Sequence, residues 1–337
     1  MGYLRYIVYI VCTLLIALPL SAKKSTPSPA WTTEQEQQFT YYWYAARQAI
    51  EEQRFDEAYA LLEFCNLLKP NDALTLSFLA TLYQGMEQYD RALEYYRLAF
   101  ESDPAEQWFK YSHALIGLRT PESIQTALVT LEKAYDVQKK NAKKRHTPVD
   151  ENLLEQLKRL YLNAKRWKDA IRMQDEIDAI KGYDMFSAMS RYRSYALWGK
   201  TKKAIEELDR YLQIDPTNIR FMLFRVELLE THNAKKEVLY AQYEQILALD
   251  PLFVSILNNY AFHLATHKGD LKKAERMSEI TIREEPNNPT YLDTYGWILH
   301  LQGQDELALF YLQRALQETK DEQMRIEVNN HIKQIRK

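Results

Sequence analysis

The sequence predicts an all-α protein built from repeated helix pairs. Its 337 residues include only 8 glycines, about a third of the number that the average usage of ~7% would give. Prolines recur every 34 or 35 residues, from Pro70 to Pro104 and from Pro216 through Pro251 to Pro286. Between them, apolar residues follow the i, i+3, i+4, i+7 spacing of amphipathic helices. These three observations favour a helical repeat protein over a loop-rich α/β enzyme.

The first 22 residues have the composition of a targeting segment. After Arg5, the run Tyr6–Leu20 carries no charge over 15 residues. A bilayer-spanning helix needs about 20 apolar residues, whereas the apolar part of a signal peptide needs only about 7–15. We therefore expect an export signal that is cleaved near Ala22, with an uncleaved N-terminal anchor as the alternative. Residues 23–38 are predicted to form a tether.

Eight helix-turn-helix units follow, each of about 34 residues. Their predicted bounds are 39–72, 73–106, 107–141, 150–183, 184–218, 219–253, 254–288 and 289–320. The second unit shows the pattern on both of its helices, with Leu76, Leu79, Ala80 and Tyr83 on the first and Ala92, Tyr96 and Ala99 on the second. The turns contain a glycine in four units, at Gly85, Gly199, Gly269 and Gly303. A glycine there is expected to take the left-handed conformation that ends a helix.

This pattern resembles the tetratricopeptide repeat (TPR) family over residues 39–320. The eighth unit is close to the family pattern, with Leu292, Tyr295, Gly296, Leu299, Ala308, Leu312 and Ala315. Other units depart from it: Gly182 replaces the proline of the fourth unit, and Val226 and Leu239 replace small residues of the sixth. The resemblance implies an α-solenoid in which the helix pairs stack into a right-handed superhelix with a concave groove.

Both ends of such a stack need covering. Residues 321–337 place Met324, Val328, Ile332 and Ile335 on one stripe, which predicts a C-terminal capping helix. At the other end, the aromatic run 41–44 and Trp31 favour N-terminal capping by large side chains; a patch for a partner or a membrane is the alternative.

The third and fourth units are separated by about ten extra residues, near 139–149. This insertion begins with the basic run Lys139–Arg145. We expect it to be a solvated loop, and binding to an anionic surface is the alternative.

The sequence contains no catalytic signature of the phosphate-loop, dinucleotide-binding, nucleophile-elbow or zinc-protease type. Cys65 occupies the small-residue position of the first unit's second helix, where a buried thiol replaces alanine. The best metal candidate is the i, i+4 pair His263 and His267, with His300 and Asp293 on the next unit. A zinc site would need two further ligands to converge on that pair.

The family resemblance implies that positions 2, 5, 9, 12 and 13 of each first helix line the groove. We therefore expect the partner-binding residues to include Trp43, Arg47, Ser77, Thr81, Gln84, Met189, Arg193, Asn258, Phe262, Asp293, Trp297 and His300. Trp43 and Arg47 occupy positions where chaperone-binding relatives carry a Lys/Asn clamp for a peptide carboxylate, so that clamp is not reproduced. The alternative is that Phe262 and Trp297 only fill the inner wall.

These observations predict a non-catalytic scaffold that binds a protein or peptide partner in the envelope or periplasm of a Gram-negative bacterium, without a cofactor. The balance of 44 Lys and Arg against 46 Asp and Glu argues against a nucleic-acid partner. A self-assembling structural module is one alternative. A metal-binding protein that uses His263, His267 and His300 is another.

Overall fold

A computed structural model describes residues 32–336. These residues form 17 successive α-helices and contain no strand. The chain divides after residue 182 into two compact units. Unit 1 contains α1 (Thr33–Glu51), α2 (Phe55–Leu68), α3 (Ala73–Gly85), α4 (Tyr89–Ser102), α5 (Trp108–Gly117), α6 (Pro121–Arg145), α7 (Glu151–Asn163) and α8 (Trp167–Lys181). Unit 2 contains α9 (Met185–Leu197), α10 (Thr201–Leu212), α11 (Ile219–Thr231), α12 (Lys236–Leu249), α13 (Val254–Thr266), α14 (Leu271–Glu284), α15 (Pro289–Leu301), α16 (Asp305–Glu318) and α17 (Glu322–Ile335).

Successive helices pair as α1 with α2, α3 with α4, and so on to α15 with α16. The predicted all-α fold class of helix-turn-helix repeats is therefore confirmed. Every pair except α11 with α12 has a buried alanine at the contact, because small side chains let two helix backbones approach. The alanines that are at most 3% exposed include Ala46, Ala58, Ala80, Ala92, Ala127 and Ala170 in unit 1, and Ala188, Ala204, Ala261, Ala274 and Ala308 in unit 2.

The described part of the predicted tether is helical. Residues 33–38 form the start of α1, because Thr32 caps it: its Oγ1 accepts from the Gln35 N–H at 3.2 Å, and its own N–H donates to Gln35 Oε1 at 3.1 Å. Residues 1–31 lie outside the described part of the chain. They include the predicted signal at 1–22 and residues 23–31 of the predicted tether, with Trp31. Among residues 32–336, every helix is too short or too polar to cross a bilayer.

The basic run Lys139–Arg145 of the insertion is helical as well, so the expectation of a loop is wrong for these residues, and residues 147–149 connect the helix to the next one. Helix α6 continues for 25 residues and ends at His146, which takes the left-handed conformation with φ 54°. Lysine, alanine and glutamine have high helix propensity. Gln138 fixes the extension, because its Nε2 donates to the Ala105 carbonyl at 2.7 Å and its Oε1 accepts from the Asp150 N–H at 3.0 Å. The added residues therefore lengthen a helix.

The turns follow the predicted register but depend less on glycine than expected. Gly199 and Gly303 have φ of 73° and 81°, five residues before the second helix's alanine. In other pairs a non-glycine residue takes that conformation, with Glu87 at 60° and Lys165 at 56°. The left-handed residue of the α13–α14 turn is Lys268, at 54°, in place of Gly269.

Tyrosine–carboxylate hydrogen bonds join neighbouring helices inside both units. Tyr161 on α7 donates to Glu132 Oε1 on α6 at 3.0 Å, and Arg166 Nη1 lies 2.7 Å from the same oxygen. In unit 2, Tyr260 donates to Glu244 Oε1 at 2.9 Å. Burial, followed by the charge of Glu132, raises the pKa of Tyr161. These hydroxyls are thus donors that satisfy carboxylates at the helix interfaces.

The C-terminal helix covers the last pair, as predicted. Val328 and Ile332 of α17 are 0% and 7% exposed, and they pack against Leu292, Leu312 and Ala315. Without α17 this apolar surface would face solvent.

Candidate functional site

In unit 1, the first helices of three successive repeats form a continuous row of aromatic and cationic side chains. Trp43 on α1 meets Phe78 on α3 edge-to-face, with ring centroids 5.9 Å apart. The Arg47 guanidinium lies 5.5 Å from the Trp43 ring centroid. On the other side, Lys110 Nζ of α5 lies 5.7 Å from the Phe78 centroid. We call Arg47, Trp43, Phe78, Lys110 and Thr81 the aromatic–cation row.

Lys110 has no carboxylate partner among the described residues. Its ammonium donates to Thr81 Oγ1 at 3.0 Å. Burial lowers the pKa of Lys110, and no acidic group opposes that shift. The Lys110 side chain is nonetheless exposed, so its ammonium is open to an incoming anionic group. Arg47 differs, because Glu51 lies 3.6 Å from it in an exposed pair.

Three other predicted residues lie on α3. Thr81 and Gln84 are exposed, and the Tyr96 hydroxyl donates to Gln84 Oε1 at 2.8 Å. Ser77 is only 4% exposed, so it belongs to the interior below the row. The structure thus brings Trp43, Arg47 and Thr81 together and leaves Ser77 beneath them.

Sequence reasoning missed two members of the row, Phe78 and Lys110. Phe78 is one position away from Ser77, and Lys110 lies on α5, for whose unit no groove residue is predicted from the sequence. The residues around Lys110 indicate which side of α5 faces solvent. Trp108 is buried, whereas Phe109 and His113 are exposed and their ring centroids lie 5.9 Å apart. That difference separates an inner from an outer face on α5.

In unit 2 the predicted groove residues are more dispersed. Met189 packs against the buried Tyr192, whereas Arg193 is exposed. Asn258 is 4% exposed, so it is an interior residue, and Phe262 is 38% exposed. Of this group, Arg193 and Phe262 remain available to a partner.

The capping helix α17 covers part of α15, the first helix of the last repeat. His331 of α17 lies with Nδ1 2.9 Å from Asp293 Oδ1, and its ring stacks on Trp297 with centroids 4.4 Å apart. His300 is paired separately, since its Nδ1 lies 2.7 Å from Asp305 Oδ1. Asp293 is 8% exposed. These side chains are therefore already occupied by contacts within unit 2.

The histidines of the metal hypothesis do not converge. His263 and His267 stack in parallel, with centroids 4.9 Å apart and an interplanar angle of 5°. His300 pairs with Asp305 instead. Within residues 32–336 no group of three or more His, Cys, Asp or Glu side chains is placed to hold an ion.

Cys65 is the free thiol of the described residues and is 0% exposed. Burial, together with the charge of Asp72, raises its pKa to about 12. It therefore carries no thiolate near neutral pH and acts as a small packing residue.

Comparison with known proteins agrees with this architecture. Residues 75–106, which span most of α3 and α4, match the tetratricopeptide repeat family. That match confirms the resemblance identified from the sequence. No curated protein matches the chain.

Three solved structures are similar to the chain at low identity. A tetratricopeptide repeat protein from Parabacteroides merdae is 11% identical, with 89% of this chain and 100% of that one covered and a TM-score of 0.39. The C-terminal part of a TPR repeat-containing protein from Cytophaga hutchinsonii is 16% identical, with coverages of 76% and 98% and a TM-score of 0.45. The MamA protein is 16% identical, with coverages of 50% and 91% and a TM-score of 0.42.

Proposed function

We propose that this protein, a member of the tetratricopeptide repeat family, is a non-catalytic scaffold that binds a protein or peptide partner on the first helices of unit 1. The repeat architecture is that of an interaction scaffold, because stacked helix pairs present long surfaces. The aromatic–cation row is the observation that supports this location most directly.

The row has the composition of an interface. Tryptophan and arginine are enriched where binding energy is concentrated, and Trp43 lies half-buried beneath Arg47. Lys110 offers an exposed ammonium that pairs with no carboxylate of residues 32–336. A partner segment that carries an apolar side chain for Trp43 and Phe78 and a carboxylate for Lys110 would satisfy both features.

The test is partner capture from the native cell with the wild type and a Lys110→Ala variant. We expect Lys110→Ala to lose the partner, or to weaken binding about tenfold, which corresponds to ~1.4 kcal/mol. The matched control is Lys133→Ala on α6, which also removes an ammonium near a phenylalanine ring, at 5.2 Å from Phe100. The same partner set bound equally by all three proteins would refute the assignment.

We further propose that the scaffold acts in the envelope or periplasm of a Gram-negative bacterium. The support is the uncharged run Tyr6–Leu20 after a single basic residue, followed by Ser21-Ala22. Fractionation with mass determination tests this: a periplasmic protein that begins at Lys23 indicates a cleaved signal, and a membrane-bound full-length chain indicates an anchor. A full-length protein in the cytoplasm would exclude both.

Self-assembly is the second candidate, and the exposed face of α1 favours it. Tyr41 and Tyr44 are 70% and 62% exposed, at the end of unit 1 that no preceding described repeat covers. Sedimentation at several concentrations tests it with a Tyr41→Ser, Tyr44→Ser double variant. A wild type that remains monomeric over the whole range would exclude this candidate.

A further inference from the structure

The fifth and sixth repeats, both in unit 2, enclose a cleft. Its walls are the second helices of consecutive repeats, α10 and α12, and its floor is α11, which contributes Met222 and Arg225. The cavity has a volume of about 720 Å³, within the range of ~300–1,000 Å³ that is typical of ligand sites.

Two large residues lie at the contact between α11 and α12, next to this cleft. Val226 on α11 and Leu239 on α12 are 3% and 1% exposed, and Leu239 stands where the second helices of the other repeats carry alanine. The distance between packed helices grows with the side chains at the contact. A leucine is therefore expected to hold α12 further from α11 than an alanine would.

The α12 wall is an unpartnered helical stripe. Val238, Ala241, Gln245, Ala248 and Leu249 line it at the spacing of one helix face. Val238 and Leu249 are 41% and 42% exposed, and both alanines are also exposed. From Val238 to Leu249 the stripe spans about 16 Å at 1.5 Å per residue, or about three helical turns.

Polar and charged side chains lie at the floor and the rim of this apolar surface. Arg225 donates from Nε to Asp209 Oδ1 at 2.6 Å and from Nη1 to Gln242 Oε1 at 2.9 Å. Gln242 is 2% exposed, so the guanidinium is held rigidly. Since Asp209 neutralises Arg225, the exposed Glu237 gives the lining a net negative charge.

We propose that the cleft between α10 and α12 binds a basic amphipathic helix of a partner protein. The apolar face of that helix lies against Val238, Ala241 and Ala248, where the two alanines permit close approach. A lysine or arginine side chain on its polar face meets Glu237, the carboxylate of the lining that Arg225 does not neutralise. This is a helix-in-groove mode of recognition, and it does not depend on the proposed function of unit 1.

The probe is a fluorescent peptide of about 14 leucine and lysine residues in helical period, which is ~21 Å long as a helix. We expect saturable binding to the wild type, and binding at least tenfold weaker to Ala241→Trp, which fills the cleft from an exposed position. The matched control is Ala179→Trp, the same change at an exposed alanine of α8. Circular dichroism of both variants checks that the helices are intact.

A second experiment tests whether the negative charge of Glu237 contributes to binding. Glu237→Lys should weaken the leucine–lysine peptide and strengthen a leucine–glutamate peptide of the same length. Equal binding of the leucine–lysine peptide to the wild type and Ala241→Trp would overturn the proposal. So would a wild-type dimer that Ala241→Trp dissociates, because a second copy would then occupy the cleft.

Discussion

Gly296 is a position where one added methyl group should lower stability. It lies within α15, and it faces α16 at a distance that leaves no room for a Cβ. A Cβ at residue 296 would lie 2.8 Å from Leu312 Cγ and 3.1 Å from the Ala308 carbonyl oxygen. Leu312 and Ala308 are both 0% exposed, so neither can move into solvent.

The magnitude of Gly296→Ala follows from two opposing terms. Alanine in a helix interior is favoured over glycine by ~1 kcal/mol. Adding a methyl group to a well-packed interface costs ~1–3 kcal/mol, and the high end applies because one obstacle is backbone. We expect a net loss of ~1–2 kcal/mol, confined to α15, α16 and α17, because each repeat is stabilised mainly by its neighbours.

Hydrogen exchange read by mass spectrometry measures this locally. A loss of ~1.4 kcal/mol corresponds to about tenfold faster exchange for peptides of α15 and α16, with little change in unit 1. The whole-chain circular dichroism signal would dilute the effect, since it sums all the helices. Local exchange is therefore the appropriate measurement.

The matched controls are Gly85→Ala and Gly117→Ala, at helix ends in unit 1. A Cβ at either position meets nothing within 4 Å, so only the propensity gain applies, and stability should stay constant or rise by up to ~1 kcal/mol. If Gly296→Ala is as stable as these controls, the close approach of α15 to α16 does not require a glycine at residue 296, which refutes the prediction.

Three further perturbations have defined outcomes. Burial and then the adjacent His267 lower the pKa of His263 in the folded protein. The unfolded chain therefore binds a proton more readily than folded His263 does. The free energy of unfolding is unaffected by protonation of this residue above the unfolded pKa of about 6.5 and decreases as the pH falls below it. His263→Phe should flatten that dependence in urea titrations between about pH 7 and pH 5. Tyr243→Phe leaves the Glu230 carboxylate without the hydroxyl that donates to it, and should lower the free energy of unfolding by ~1–3 kcal/mol; an unchanged urea midpoint would contradict this. Val328→Asp places a carboxylate at a position with 0% exposure and should detach α17, seen as rapid proteolysis of the last 15 or so residues; resistance equal to the wild type would show that the cap is held elsewhere.

Some features of individual residues could be predicted locally, and others could not. The capping stripe of α17 was visible because Val328 and Ile332 are one helical turn apart. The charge of Lys139–Arg145 predicts a solvated loop, whereas the structure continues α6 through this run, because lysine has high helix propensity. The hydrogen bonds of Gln138 to Ala105 and Asp150, which hold this part of the helix, join residues that are not neighbours in sequence.

The candidate interaction surface depended more strongly on tertiary contacts. The repeat register predicts Trp43 and Arg47 as groove residues, and the structure places the Arg47 guanidinium 5.5 Å from the Trp43 ring centroid. Asp293 was predicted in the same way, but His331, 38 positions later, occupies it. Lys110 acquires its significance from Phe78 and from Thr81, 29 positions earlier.

The sequence by itself determined the helices, their pairing and the repeat period, because each depends on residues within about one 34-residue unit, through helical spacing, small contact residues and turn positions. The tertiary structure alone decided which side chains are available. Exposure, counter-charges and the cleft beside α12 depend on neighbours from adjacent repeats, because the distance between packed helices follows from the side chains at their contacts. The cleft, for example, is lined by residues of α10, α11 and α12 together.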